Sequence, residues 1–199
     1  MTTKKVVVVI PVYKENISKN ELMSLIQGET ILGRYDICFI APFRIKNSKL
    51  TQGHRTIYFD DSYFVNTVAY SKLLLSGCFY KIFLNYEYML IYQLDAFVFS
   101  DALLEWCNKG YDYIGAPLPA VGDFYAEIGS GVGNGGLSLR KIESCINVLK
   151  YKEKIFTHHP VGWMMEYAVK TFISIYMDGF RYPDFFGKLK DWLRSSLII

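Results

Sequence analysis

The sequence predicts an α/β fold in which a mostly parallel sheet is flanked by helices. Short apolar runs typical of strands alternate with segments of helical periodicity from Val6 to Gly110. The first run, Val6 to Ile10, is continuous and rich in β-branched residues, as expected of a strand covered on both faces. Pro11 ends this run, because proline cannot donate to the hydrogen-bond ladder of a central strand.

A helix is predicted directly after the first strand. Ser18 and Glu21 have the spacing of a capping box, in which each side chain bonds the backbone amide of the other residue. Gly28 is the predicted end of this helix. The residues predicted to face the core are Leu22, Leu25 and Ile26.

Two further strands and a second helix follow. Strand patterns cover Asp36 to Ala41 and Thr56 to Phe59. Asp61 or Ser62 is the predicted cap of the next helix, and Gly77 is its predicted end. The core face of that helix is expected to carry Val65, Val68 and Ala69.

The next predicted strand carries polar residues at its end. The strand covers Tyr88 to Leu94, and a helix from about Asp101 to Lys109 follows, closed by Gly110. Gln93 and Asp95 therefore fall where ligands of parallel α/β sheets bind, beyond the carboxyl ends of the strands. We predict that both face a ligand crevice. The alternative is that Asp95 caps a helix or forms a salt bridge.

Composition and charge exclude several function classes. Hydrophobic residues make up 51% and charged residues 21% of the 199 positions, which indicates one folded domain. The net charge of +3 without a basic stripe excludes a nucleic-acid groove. The N-terminus lacks the features of a secretory signal and no apolar run is long enough to span a bilayer, so we predict a cytoplasmic protein. Four single cysteines without zinc-site spacing are predicted to be buried thiols: Cys38, Cys78, Cys107 and Cys145.

Four segments of the sequence carry a family resemblance: VVVVIPVYKE, YMLIYQLDAFVF, GYDYIGAP and VGNGGLSLRK. Together they resemble a family of bacterial glycosyltransferases with the type A (GT-A) nucleotide-sugar fold, long catalogued only as a domain of unknown function. The resemblance covers about Val6 to Lys150. It implies a GT-A-like, Rossmann-like fold and the transfer of a hexosyl or related group from a nucleotide sugar to a glycan or lipid-linked acceptor, a precursor of cell-surface polysaccharide or glycolipid.

The resemblance also assigns donor-binding residues. In GT-A enzymes a DxD motif holds the divalent metal that grips the diphosphate of the donor, and the matching place here is Gln93, Leu94 and Asp95. Only the last acid is kept, so Asp95 is the expected ligand of Mg or Mn in a weakened site. The residues expected around the nucleoside are Pro11, Val12 and Tyr13, with Glu15 nearby. The alternative for Tyr13 is a strand-ending turn whose ring covers the core.

The glycine-rich stretch GSGVGNGGLSLR is predicted to form a hairpin. Dense glycine permits positive φ and the close approach of a ligand, although the stretch matches no phosphate-loop pattern. The resemblance implies that Asn134, Gly135 and Gly136 shape the floor near the transferred sugar or acceptor. Arg140 is expected to contact the diphosphate or to cap a carboxylate. A purely structural hairpin is the alternative.

Residues 152–199 depart from the family pattern. The acidic segment that would supply a catalytic base is missing, and Glu166 in HHPVGWMMEYAVK is the remaining candidate, with a solvated surface charge as the alternative. The tail YPDFFGKLKDWLRSSLII combines an apolar face with basic flanks. This pattern suits peripheral contact with the inner membrane face, docking on the body or a dimer contact. We predict one domain over residues 1–199, with 152–199 as its divergent helical part.

Three function hypotheses follow from these observations. The first is the glycosyltransferase. The second is a non-catalytic member that binds a nucleotide sugar or glycan, which the missing acidic segment favours. The third is a sugar nucleotidyltransferase, although PVYKENISK lacks the glycine-rich loop that such enzymes usually place after the first strand.

Overall fold

The computed structural model describes residues 4–117 and 132–156. These residues form a six-stranded sheet with helices on both faces. The predicted α/β class is therefore confirmed. The elements are β1 (Lys4–Pro11), α1 (Lys19–Leu32), β2 (Asp36–Pro42), β3 (Thr56–Phe59), α2 (Thr67–Leu74), α3 (Gly77–Lys81), β4 (Tyr86–Tyr92), α4 (Leu103–Asn108), β5 (Tyr113–Pro117), β6 (Val132–Lys141) and α5 (Ile142–Phe156).

The sheet has the strand order β3-β2-β1-β4-β6-β5. Strands β3, β2, β1 and β4 are parallel, whereas β6 runs antiparallel to both β4 and β5. From β1 the chain builds outwards to β2 and β3, and it then returns to place β4 on the other side of β1. The gap beyond the ends of β1 and β4 is therefore the point where the strand order reverses, which is where α/β sheets bind ligands.

Strand β1 contributes side chains to the hydrophobic layers on both faces of the sheet. Val7 and Val9 point into the layer formed with α2, α3 and α5, and Val8 and Ile10 point into the layer formed with α1 and α4. All four side chains are at most 1% exposed. Burying one such side chain contributes about 1.5–3 kcal/mol, so the continuous β-branched run stabilises the sheet from both faces.

Helix α1 begins as predicted and ends later than predicted. Both hydrogen bonds of the Ser18–Glu21 capping box are present. The prediction that Gly28 ends the helix is wrong, because Gly28 is a buried mid-helix residue and the helix continues to Leu32. A Cβ atom at Gly28 would lie 2.7 Å from the Tyr92 ring, so this glycine lets α1 approach β4 closely.

The predicted core face of α1 is only partly correct. Leu25 is buried, whereas Leu22 and Ile26 are 45% and 54% exposed. The helix packs through a narrower face because the small residues Ser24 and Gly28 lie against β4.

Helix α2 differs most from its prediction. Asp60 caps a short 3-10 turn at Asp61–Phe64, and the helix itself starts after Asn66, whose Oδ1 accepts a hydrogen bond from the Ala69 amide at 2.8 Å. Gly77 begins α3 and does not end α2. The predicted core face is wrong, because Val65 precedes the helix, Val65 and Val68 are exposed and Ala69 is only partly buried. The buried residues of α2 are Leu73 and Leu74.

The structure also bears on the predictions for Gly110, the cysteines and the C-terminal part. Gly110 takes φ +76° just after α4, as expected of a glycine that closes a helix. The cysteines are buried as predicted except Cys78, which is exposed. No helix within the described ranges combines the length and apolar character needed to cross a membrane. Residues 152–156 form the end of α5, and the rest of the predicted C-terminal part lies outside the described residues.

Candidate functional site

A cavity of about 400 Å³ opens between the carboxyl ends of β1 and β4. It lies at the point where the strand order reverses. Three segments meet around it: the residues after β1 with the start of α1, the segment that enters α2, and the residues after β4. Its lining consists of Pro11, Val12, Tyr13, Lys14, Ile17, Glu21, Phe64, Val65, Asn66, Thr67, Tyr70, Gln93, Leu94 and Asp95.

The wall after β1 presents a fixed aromatic ring. Val12 is buried and its amide donates to the Ile40 carbonyl oxygen at 2.9 Å, so the chain direction is set before Tyr13. The Lys14 ammonium lies 5.4 Å from the Tyr13 ring centroid and forms a 2.9 Å salt bridge with Glu21. The hydrogen bond to Glu21 raises the pKa of Lys14. The half-exposed ring is thereby oriented at the cavity mouth, where a planar ligand group can stack on it.

Glu15 does not share this position. It is exposed and is not among the residues that line the cavity. Pro11, Val12 and Tyr13 therefore meet around the cavity as expected, and Glu15 lies outside its wall.

The wall after β4 carries the three residues that match the metal motif. The Gln93 amide donates to the Gly136 carbonyl oxygen at 2.8 Å, and the Gln93 carbonyl accepts from the Ala96 amide at 3.0 Å. This turn buries Leu94 and leaves Asp95 exposed at the cavity. Asp95 is neither a helix cap nor a salt-bridge partner of any described residue. Its carboxylate is available to a ligand.

The start of α2 forms the third wall. None of its residues is among the site residues predicted from the sequence. Asn66 and Thr67 border the cavity where the helix begins, and Tyr70 follows one turn later. The Tyr70 hydroxyl is buried and makes no hydrogen bond of normal geometry, although the Gln93 side chain lies close to it. Burial raises the pKa of Tyr70. An Asn followed by helical periodicity was the available signal for this wall, and nothing local marks Tyr70.

The predicted glycine hairpin is wrong for residues 132–141, which form strand β6. Asn134 pairs with Ala116 of β5, where the register between β5 and β6 shifts. Neither Gly135 nor Gly136 has a positive φ. What Gly135 requires is space, because a Cβ atom there would lie 3.1 Å from Nη2 of Arg140.

Arg140 lies in β6, pairs with Met89 of β4 and Tyr113 of β5, and is 7% exposed. Its Nη1 donates to the Tyr80 hydroxyl at 2.8 Å, its Nε donates to Oγ of Ser138 at 3.0 Å, and its Nη2 donates to the Gly135 carbonyl at 3.4 Å. The guanidinium also lies 5.5 Å from the Tyr113 ring centroid. No carboxylate of the described residues lies within salt-bridge distance, so the predicted role as a carboxylate partner is not seen there.

A buried metal centre is not present among the side chains around Asp95. No group of three or more His, Cys, Asp or Glu side chains that could hold a metal ion occurs in residues 4–117 and 132–156. At the motif position an amide replaces the first carboxylate, and that amide lies beside the Tyr70 hydroxyl. Asp95 offers one exposed carboxylate, and Glu21, the other carboxylate among the lining residues, is bonded to Lys14. A Mg or Mn ion at Asp95 would therefore be held mainly by the phosphates of a ligand. Glu166, the candidate base, lies outside the described residues.

Comparison with known families identifies the chain. Residues 53–186 match the family described as protein of unknown function (DUF5672). The chain belongs to the DUF5672 family. This DUF5672 member matches none of the curated proteins compared with it.

Solved structures show which fold this DUF5672 member has. The galactosyltransferase LgtC, in complex with donor and acceptor sugar analogues, aligns at TM-score 0.54 and 13% identity over 87% of this chain and 71% of LgtC. An active-site mutant of LgtC aligns at TM-score 0.51 and 12% identity over the same shares of the two chains. At this identity the likeness shows the fold alone. The expected family resemblance and GT-A-like fold are confirmed.

Proposed function

We propose that the protein is a glycosyltransferase that binds a nucleotide sugar in the cavity between β1 and β4. The observation that carries the proposal is the position of this cavity: it lies at the strand-order reversal of a GT-A-like sheet, with the half-exposed Tyr13 ring on one wall and the exposed Asp95 carboxylate on the other. Its volume of about 400 Å³ suits a small ligand.

Each wall has a part in holding the donor. The Tyr13 ring stacks on the nucleobase, and Pro11 and Val12 form the apolar surface beside it. Asp95 accepts hydrogen bonds from hydroxyl groups of the ribose or the sugar, because an ionised carboxylate can only accept. Asn134, Gly135 and Gly136 shape the floor near the transferred sugar, and Gly136 is joined to the cavity wall through its hydrogen bond with the Gln93 amide.

Transfer of the sugar requires that the departing nucleoside diphosphate be stabilised. Transfer from a nucleotide sugar builds negative charge on that group as the bond to the anomeric carbon breaks. Groups that favour negative charge at this point lower the barrier. Glu166 remains the proposed general base that deprotonates the acceptor hydroxyl. A glycan or lipid-linked acceptor and a site of action at the inner membrane face are proposed from the sequence alone.

Binding of the donor is tested by thermal unfolding with a panel of nucleoside diphosphates and nucleotide sugars. A ligand at 100 times its Kd stabilises the folded state by about 2.7 kcal/mol, so the correct donor stands out as a rise in Tm. Tyr13→Ala should weaken its binding by about 5- to 150-fold, because base stacking on an aromatic ring contributes roughly 1–3 kcal/mol. Tyr13→Phe keeps the ring and serves as the matched control. If no member of the panel raises Tm, the proposal is wrong.

The missing acidic segment supports a second candidate, a member that binds nucleotide sugar without transferring it. The two differ in whether nucleoside diphosphate is released. Wild-type protein that binds a donor and releases the nucleoside diphosphate in the presence of a glycan acceptor supports the transferase. Tight binding without any release across a broad acceptor panel supports the binding protein. In the transferase case, Glu166→Gln should cut turnover by at least ~10²-fold with donor affinity unchanged.

A further inference from the structure

We infer that this site holds the anionic part of its ligand through the buried positive charge of Arg140, with no divalent metal ion required. The inference rests on the proposed function, because it concerns the diphosphate of the donor bound in the same cavity. It deepens that proposal by naming what neutralises the charge of the ligand.

The first step is the mismatch between the residues and a metal ion. Gln93 is neutral, and its side chain lies beside the buried hydroxyl of Tyr70. Asp95 supplies the sole carboxylate at the motif position. A divalent cation held by one exposed carboxylate would depend almost wholly on the ligand for its retention. The described residues therefore offer little that would select or keep a metal.

The second step is the absence of an acidic partner for Arg140 among the described residues. Its three hydrogen bonds go to two hydroxyl groups and one carbonyl, all neutral acceptors. Burying a charge costs free energy unless an opposite charge compensates it, and proteins rarely keep such a group without a role. The uncompensated charge is satisfied when an anion binds nearby.

The third step is the short path from Arg140 to the cavity. The guanidinium bonds the Gly135 carbonyl, and the next carbonyl, that of Gly136, accepts from the Gln93 amide. Tyr70 lines the cavity. Burial raises its pKa, and the nearby positive charge of Arg140 makes that rise smaller. Charges act over longer distances in a protein interior than in water. An anion above Gly136 and Gln93 therefore experiences the field of Arg140.

This arrangement accounts for the amide at position 93. A carboxylate there would lie near the Tyr70 hydroxyl and would compete with the ligand for the charge of Arg140. With glutamine, the positive charge is left for the ligand. Arg140 thus acts as a positioning residue through the Gly135 backbone and as a fixed charge that stabilises the leaving diphosphate without contacting it.

The test measures affinity by calorimetry for uridine, UMP and UDP, or the matching series of whichever base the wild-type protein binds, with manganese and with excess EDTA. We expect UDP binding to survive EDTA with less than about a threefold loss. Arg140→Met should weaken UDP by ~10-fold or more, about 1.4 kcal/mol, and leave uridine nearly unchanged. Arg140→Lys should retain most of the UDP affinity. Arg55→Met, which removes a cation that bonds Tyr86 at the amino end of β4, the end opposite the cavity, is the matched control and should bind UDP normally.

A second variant keeps the inference testable if Arg140→Met does not fold. Gln93→Asp should weaken UDP binding in EDTA and make it dependent on manganese. Loss of wild-type UDP binding in EDTA would overturn the inference and leave the proposed function standing. Equal losses for uridine and UDP in Arg140→Met would also overturn it, because a structural role affects the whole series alike. Wild-type protein that binds no nucleotide of any base would overturn both.

Discussion

The backbone amide of Gln93 donates a 2.8 Å hydrogen bond to the carbonyl oxygen of Gly136. This bond extends the β4–β6 ladder by one step past the last paired residues, Tyr92 and Leu137. It joins the strand that carries the glycine pair to the turn that exposes Asp95. A disturbance at the glycines is therefore transmitted to the cavity wall through the backbone.

Gly135→Val should reduce nucleotide affinity because it displaces Arg140. The Cβ atom alone would lie 3.1 Å from Nη2, and the two methyl groups of valine add to the clash. Overpacking of this kind costs about 1–3 kcal/mol. Calorimetry with the nucleotide and circular dichroism of the free protein give the two readouts. Gly135→Ala needs a shift of only a few tenths of an ångström and should lose less. Wild-type affinity and Tm in the valine variant would contradict this account.

Gly28→Ala should destabilise the protein although alanine is the better helix former. The added Cβ would lie 2.7 Å from the Tyr92 ring. That ring is held in place because its hydroxyl is hydrogen-bonded to the carbonyl oxygen and to Oγ of Ser24. We expect the overpacking cost of about 1–3 kcal/mol to exceed the helix-propensity gain of about 1 kcal/mol. Urea unfolding measures the net change. Gly77→Ala faces open space and should cause no loss; a stabilised Gly28→Ala would refute the packing argument.

Acid should remove the stabilising contribution of Asp36. Hydrogen bonds from Lys4 and Tyr86 lower the pKa of its carboxyl group. A lowered pKa means that the contribution is complete above the unfolded value of about 3.9 and is lost as the pH falls through the folded value. Asp36→Asn should therefore reduce the free energy of unfolding at pH 7, and the difference from wild type should shrink below about pH 4. Glu15→Gln is the control, since that exposed carboxylate has no described partner. A pH-independent difference would argue against the ionic contribution.

Alkylation at pH 8 should distinguish Cys78 from the other cysteines. Burial raises the pKa of Cys38, Cys107 and Cys145 to about 11, so these thiols are protonated as well as shielded. Only the thiolate reacts, and Cys78 is exposed. We expect mass spectrometry to find one rapidly modified cysteine in the native protein and all four in urea. Cys78→Ser should abolish the rapid reaction; fast modification that persists in this variant would show that a second thiol is accessible.

Local patterns predicted the strands well. Val6 to Ile10 lies inside β1, and the predicted strand from Tyr88 to Leu94 is displaced by two residues from the observed Tyr86–Tyr92. These predictions succeed because a strand covered on both faces must be apolar throughout, which is visible in a few adjacent residues.

The helix errors have two physical causes. Gly28 resembled a helix end because glycine favours that place, but its real constraint is contact with Tyr92, which is distant along the chain. In α2 the predicted cap, Asp61 or Ser62, is wrong. Both residues lie in the short 3-10 turn that Asp60 caps, and the longer helix begins after Asn66. Because Val65 precedes the helix, it is not in helical register with Val68 and Ala69, and the predicted face does not form.

The cavity was predictable where it depends on topology. Parallel strands bring their carboxyl ends to one edge, so Gln93 and Asp95 were expected to face a crevice, and both line the cavity. The family resemblance placed Tyr13 beside the nucleoside, and Tyr13 lines the same cavity. Tyr70 was not predictable, because its place depends on how α2 packs. The sequence marked Arg140 as a cation near the glycines, but its burial and its neutral partners depend on Tyr80 and Ser138 in the folded state.

The position of β1 between β2 and β4 has a consequence for synthesis on the ribosome. Lys5 and Glu87, which form a salt bridge across the β1–β4 pair, are 82 residues apart. At a synthesis rate of about 5–20 residues per second, roughly 4 to 16 seconds pass between the synthesis of the VVVVI segment and that of β4, the second strand that pairs with β1. During this interval one edge of the most apolar strand has no partner to pair with. We therefore expect a chaperone to shield this unpaired strand edge most in nascent chains that end before β4.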